Sequence, residues 1–194
     1  YQASHNKKMM REKHGIDLED KVVTMIGTTC ERKGQHIFLE AIELMKIKYS
    51  NGIPNNIKFV IVGAVEGEYL DSLQKMVNKY ELTEVRIFNE VDDIYDFFIL
   101  SDIFVCASLI ESFPVVLLLA MAFSLPIVST NVFGISEMIS DNHEGRLVHA
   151  GNSQALSNAI INCLENSEHS DWMAHNAYAK LNRLYDNEYL MQKN

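Results

Sequence analysis

The stretch Ile103-Phe104-Val105-Cys106-Ala107-Ser108-Leu109-Ile110-Glu111-Ser112-Phe113-Pro114-Val115-Val116-Leu117-Leu118-Leu119-Ala120-Met121-Ala122 decides the fold. Its first four residues are apolar and β-prone, and on either face they meet no polar residue, as expected of a strand buried on both sides. A short polar loop follows, and then an apolar segment that Pro114 can open at its first helical position and that runs to Phe123. A doubly buried strand passing through a tight turn into a helix is the repeating unit of an α/β fold.

Outward from this unit the same alternation recurs. Short apolar runs at Val22–Ile26, Ile57–Val62, Val85–Phe88, Ile127–Ser129 and Arg146–Val148 read as further strands. Between them lie segments of helical period. In Gln35–Lys48, the residues Ile37, Phe38, Ala41, Ile42 and Met45 share one face; Leu70, Leu73, Met76 and Val77 do the same, as do Leu156, Ala159, Ile160, Cys163 and Leu164. Asn152 or Ser153 caps the last of these, and Ile135–Ile139 reads as a short helix. The expected architecture is a doubly wound, Rossmann-like parallel sheet of about six strands. Residues 1–20 form a polar lead-in, helical near Lys8–His14; residues 21–168 form the sheet domain. Residues 169–194, with Trp172, Tyr178, Leu181, Leu184, Tyr185, Tyr189 and Leu190, form closing helices that pack on the domain or on a preceding one.

Composition narrows the class. The 194 residues suit about one domain. A net charge of −9 argues against nucleic acid and anionic membrane as partners. The longest apolar run, Val115–Phe123, falls short of the roughly 18 residues that a membrane span needs. Three scattered cysteines, Cys30, Cys106 and Cys163, point to a reducing, cytoplasmic setting. The opening Tyr1-Gln2-Ala3-Ser4-His5-Asn6-Lys7-Lys8 carries neither an initiator Met nor a signal core, and the expectation drawn from this is that the chain begins inside a longer polypeptide. The seven histidines show no metal spacing, so no metal site is expected.

In doubly wound sheets, ligands bind at the carboxyl ends of the strands, so the turns there carry the chemistry. The first, Gly27-Thr28-Thr29-Cys30-Glu31-Arg32-Lys33-Gly34, is neither a dinucleotide fingerprint nor a Walker loop. It offers Lys33 at a helix entrance, either to meet a phosphate beside the helix dipole or simply to sit in solvent. Gly63 ends the second run and admits close backbone approach. After the fourth, the amides of Phe113, Val115 and Val116 can seat a diphosphate. Glu111 beside them suits sugar hydroxyls, although taken locally a plain capping role is the first reading of it. In the fifth turn, Gly134 permits a close approach, and Glu137 falls in the first turn of a helix, where the dipole alone explains it.

Taken in order, Lys33-Gly34, Glu111-Ser112-Phe113-Pro114, Ala120-Met121-Ala122, Leu125-Pro126-Ile127-Val128-Ser129-Thr130, Phe133-Gly134-x-x-Glu137 and Gly145-Arg146-Leu147-Val148 resemble one family. It is the C-terminal, donor-binding domain of retaining glycosyltransferases of the GT-B fold, the group related to bacterial mannosyltransferases, sucrose synthase and glycogen synthase. The resemblance implies transfer of a hexose-type sugar from a UDP- or GDP-sugar to an acceptor hydroxyl, with no metal or other cofactor. Lys33 and Glu111 are the implied catalytic pair, Lys33 holding the donor diphosphate and Glu111 the donor sugar. Gly27, Thr28 and Gly63 line the nucleotide cleft, Phe113, Pro114 and Val115 complete the diphosphate seat, and Thr130 and Glu137 form the rim. The acceptor, whether glycan, lipid or small molecule, belongs to an N-terminal domain, so this domain alone is expected to be inactive.

Two positions depart from the family pattern. Thr28 stands where an arginine is usual, with Arg32 nearby as a stand-in, and Leu119 stands where a second glutamate reads the ribose. Ser124, where the family often has glycine, is a milder change. The departures raise a second reading, a degenerate, non-catalytic domain that serves a partner as a scaffold. A third keeps the fold but turns it to sugar-nucleotide epimerisation or phosphorolysis.

Overall fold

The computed structural model describes residues 2–49 and 52–191. Six strands form one parallel sheet: β1 (Lys21–Ile26), β2 (Ile57–Ala64), β3 (Val85–Asn89), β4 (Ile103–Cys106), β5 (Ile127–Thr130) and β6 (Arg146–Val148), in the order β3-β2-β1-β4-β5-β6. Among the described residues eight α-helices accompany them: α1 (Gln2–Lys13), α2 (Gln35–Lys48), α3 (Glu68–Lys79), α4 (Tyr95–Leu100), α5 (Val115–Ala122), α6 (Ile135–Met138), α7 (Ser153–Glu165) and α8 (Ser167–Met191). This is the doubly wound arrangement, and the strand order reverses between β1 and β4.

The period-two geometry of a strand explains the two cores. Val23 and Met25 of β1, Phe59 and Ile61 of β2, and Ile103 and Val105 of β4 enter one layer with α2, α3 and α7. Their neighbours Val22 and Ile26, Val60 and Val62, and Phe104 and Cys106 enter the other, with α4, α5 and α6 and with Ala177 and Leu181 of α8. The predicted helical stripes of α2 and α7 lie in the first layer, and the Asn152 side chain caps α7 by accepting from the Ala155 amide at 2.9 Å.

Several boundaries differ from the sequence expectation. Pro114 is extended (ψ 113°) and precedes α5, which ends at Ala122. α4, an aromatic helix too short to announce itself by period, buries Phe97, Phe98 and Leu100. The closing segment is one continuous helix, α8, on which Trp172, Tyr178 and Leu184 are exposed; the side chains of Tyr185, Tyr189 and Leu190 lie outside the described residues.

The lead-in is tied to the amino-terminal edge of the sheet. Arg11, 3% exposed, donates to the carbonyls of Leu18, Asp20 and Leu100 and to Asp102 Oδ2 at 2.6 Å. Asp102 also accepts from the Val22 amide and from Lys7. Further along, Asp96 receives Lys13 at 2.5 Å and lies 3.3 Å from His14. The hydrogen bond from Lys13 holds the Asp96 carboxyl below its usual range, against the opposing pull of burial and with help from His14. Among the described residues, no helix is long and apolar enough to cross a membrane.

Candidate functional site

At the reversal between β1 and β4, where doubly wound sheets take their ligands, two turns meet at the carboxyl ends of the strands. After β1 the chain passes through Gly27 and Thr28 into a single 3-10 turn, Glu31–Lys33, closed by Gly34 at φ 76°. A side chain at Gly34 would be doubly barred, by that left-handed backbone and by the Ala107 carbonyl oxygen, which lies 2.1 Å from where a Cβ would stand. The Leu109 amide donates to the Arg32 carbonyl at 2.8 Å, and so the β1 and β4 turns are held together.

This clamp brings Lys33 onto Glu111, 78 residues away in sequence: Nζ to Oε2 is 2.6 Å. Their side chains are 18% and 11% exposed, so the pair is largely withdrawn from solvent. Lys33 is therefore not a solvated loop residue. Glu111 makes no capping bond to α5, whose N-terminus has no side-chain cap. Arg32 adds a second cation, its Nη1 being 3.1 Å from the Ile110 carbonyl and 3.4 Å from Glu111 Oε2. The aliphatic stem of Lys33 crosses Gly27, with Cδ 3.6 Å from where a Cβ would be.

The other predicted residues fall around this pair in unequal ways. The amides of Phe113, Val115 and Val116, at and just before the start of α5, have no acceptor among the described residues. Phe113 and Val115 are exposed and Pro114 is buried. Gly63, at φ 107°, presses on the β1 turn so closely that a Cβ would lie 2.6 Å from the Gly27 oxygen. Thr28 reaches only Glu90, at 3.4 Å. Thr130 stands behind the rim rather than on it: it is 1% exposed, and its hydroxyl donates to the Ser108 carbonyl at 2.6 Å, bracing the β4 turn from within. Glu137 is exposed in α6. Gly134 packs under the Ser112 carbonyl, where a Cβ would lie 1.6 Å from the oxygen, and this sets the height of the Phe113 loop. Its neighbour Phe133 is 70% exposed at φ 37°, a backbone that costs a bulky residue about 1–3 kcal/mol. Leu119, one helical turn beyond Val115, is half-buried against the second core layer.

One residue here escaped the sequence. Gln35, the first of α2, is completely buried, and its Nε2 donates to the carbonyls of Gly27 and Thr28, each at 3.2 Å. Its Oε1 has no partner among the described residues. Two neutral hydrogen bonds contribute about 0.5–1.5 kcal/mol each, and an orphaned buried acceptor costs about 1–3 kcal/mol. The amide therefore adds little to stability. Nearby, Tyr69 bonds His36 Nδ1 at 2.8 Å, and burial pushes its phenol up to about 12, which rules it out as a base near neutral pH.

The site is an open shelf of one carboxylate, two cations and free backbone amides, suited to an anion joined to a hydroxyl-bearing group. A cavity of about 480 Å³ lies toward the amino-terminal end of β4, between Lys7, Asp102, Phe98 and Phe123.

Comparison with known proteins identifies the family and the fold. The family described as glycosyl transferases group 1 matches residues 6–180. The capsular polysaccharide biosynthesis glycosyltransferase CapM of Staphylococcus aureus is 22% identical over 97% of this chain and 48% of its own length. An Escherichia coli UDP-Gal:alpha-D-GlcNAc-diphosphoundecaprenol alpha-1,3-galactosyltransferase is 30% identical, over 80% of this chain and 40% of its own. The chain thus spans about half the length, or less, of these relatives. Among solved structures, Anabaena HepE in complex with UDP-glucose superposes with a TM-score of 0.84 at 24% identity, over 97% of this chain and 52% of that one. The C-terminal domain of a group 1 glycosyl transferase, LpcC from Francisella tularensis, does so with a TM-score of 0.79 at 24% identity, over 92% of both chains. At these identities the structural likeness speaks for the fold.

Proposed function

Since the chain belongs to the group 1 glycosyl transferases, we propose that it is the donor-binding domain of a retaining glycosyltransferase, moving a hexose-type sugar from a UDP- or GDP-sugar to an acceptor hydroxyl. The observation that carries this reading is the meeting of Lys33 with Glu111 at the point where the strand order reverses. Lys33 and the amides of Phe113, Val115 and Val116 take the diphosphate, and Arg32 stands close enough to share the charge. Neutralising the leaving diphosphate in this way lowers the barrier electrostatically, and the mechanism as proposed calls for no metal. Glu111 accepts hydrogen bonds from hydroxyls of the donor sugar. Gly27, Thr28 and Gly63 line the nucleotide cleft.

The chain spans about half of its relatives' length, and we assign acceptor recognition to a part outside these 194 residues. On that reading the chain binds donor by itself and transfers no sugar. The three cysteines are free, in keeping with a cytoplasmic place of action.

Calorimetric titration with UDP, GDP, UDP-glucose and GDP-mannose tests the proposal. Binding to at least one, abolished in Lys33→Met, is expected; the absence of heat with all four at millimolar concentration would sink it. A second reading, a degenerate domain that binds a partner and no donor, draws on Leu119, whose half-buried side chain packs against the core and offers no acceptor to a ribose.

A further inference from the structure

We infer that Gln35 is a positioning residue of the donor site, holding the Gly27–Thr28 turn so that the Thr28 amide faces an incoming phosphate. The inference rests on the donor-binding reading above and adds to it a residue that does not itself touch the donor.

Gln35 is completely buried and spends both hydrogens of its amide on two consecutive carbonyls, those of Gly27 and Thr28. In a planar trans peptide the carbonyl and the following N–H point in opposite directions. Drawing the Gly27 carbonyl toward Gln35 therefore turns the Thr28 N–H away from it. The Thr29 N–H, beyond the second clamped carbonyl, is already committed to the Gly63 carbonyl at 2.9 Å, whereas the Thr28 N–H has no acceptor among the described residues. The stem of Lys33 runs across Gly27, next to this free amide, so cation and donor belong to one turn.

The stability balance points the same way. The orphaned Oε1 offsets what the two hydrogen bonds contribute, and a methionine of similar length would fill the same space while leaving the two carbonyls without a donor. What methionine cannot do is fix the two carbonyls. Gln35 thus supplies, through the backbone, part of the anion seat at a position where Thr28 brings no charge of its own.

The test uses the 15N-labelled 194-residue chain and two-dimensional amide NMR, with UDP, GDP and inorganic pyrophosphate as probes. In the wild type the Thr28 amide is expected to shift and saturate together with those of Lys33 and Phe113. Gln35→Met is expected to melt a few degrees lower but to keep the spectrum of the sheet, to lose the Thr28 response, and to bind the probe about tenfold more weakly. Wild-type shifts at Lys33 and Phe113 with none at Thr28 would overturn the inference while leaving the donor site standing. So would a Gln35→Met variant that binds as well as the wild type. If no amide responds to any probe at millimolar concentration, the donor reading and the inference fall together. Should Gln35→Met fail to fold, the wild-type response of Thr28 still decides.

Discussion

Replacing Glu111 by glutamine asks what the Lys33–Glu111 pair does before a donor arrives. In the structure Lys33 Nζ is held 2.6 Å from Glu111 Oε2, and a diphosphate must draw it away. A hydrogen bond to a charged group is worth about 1.5–3 kcal/mol, and a glutamine oxygen in the same place keeps about half of that. The difference is about 1 kcal/mol once the partial exposure of Lys33 is allowed for. Glu111→Gln should therefore bind UDP about fivefold more tightly than the wild type. UDP-glucose should gain less, because its sugar hydroxyls lose a charged acceptor, so the preference for UDP-glucose over UDP shrinks. Calorimetry on both ligands, with melting curves to check folding, measures this directly. If folded Glu111→Gln binds UDP equally or more weakly, Lys33 is not restrained by Glu111 and the argument from the ion pair is wrong.

Leu119→Glu places a carboxylate one turn beyond Val115; UDP affinity should rise about tenfold and stability fall by about 1 kcal/mol, read by calorimetry and denaturant unfolding. Tight wild-type binding that this substitution weakens would dispose of the degenerate-domain reading. Ser124 sits exposed at φ 51°, so Ser124→Gly should stabilise by about 1 kcal/mol and raise the melting temperature by about 2–4 °C; an unchanged melting point would contradict the strain. Asp96 has its carboxyl held below the ordinary range in the folded chain. Its contribution is present above the unfolded pKa of about 3.9 and lost as pH falls through the lower folded value. Asp96→Asn should therefore be less stable than the wild type near neutrality and lose less on acidification below about pH 4; parallel curves from urea melts across pH would refute this.

Much of the fold was legible because strand and helix periods are local. Val22–Ile26 and Ile103–Cys106 could only be strands buried on both faces, and Gln35–Lys48 shows its apolar stripe in sequence order. The aromatic helix α4 was not legible, since six residues hold less than two turns of pattern. At the site, residue types could be read but partners could not. Glu111 alone suits a cap as well as a ligand, and only the adjacency of β1 and β4 makes it the partner of Lys33. Thr130 shows the converse: its hydroxyl suits a rim, but the strand directs it inward to the Ser108 carbonyl. Gln35 left no trace, because its role depends on the direction of two carbonyls, which side-chain patterns do not encode.

The buried Arg11 has a bearing on how such domains can be exchanged between relatives. A chimera joined at Lys21, where the sheet begins, discards the guanidinium that holds Leu100, Asp20 and Asp102 together. The stranded Asp102 is 20% exposed, and breaking a buried pair from one side costs about 3–5 kcal/mol at full burial. Even a fraction of that consumes much of a domain's margin of about 5–15 kcal/mol. A graft whose junction lies upstream of α1 carries its own arginine and avoids the loss. The natural seam for recombination therefore lies before the lead-in helix and not at the first strand.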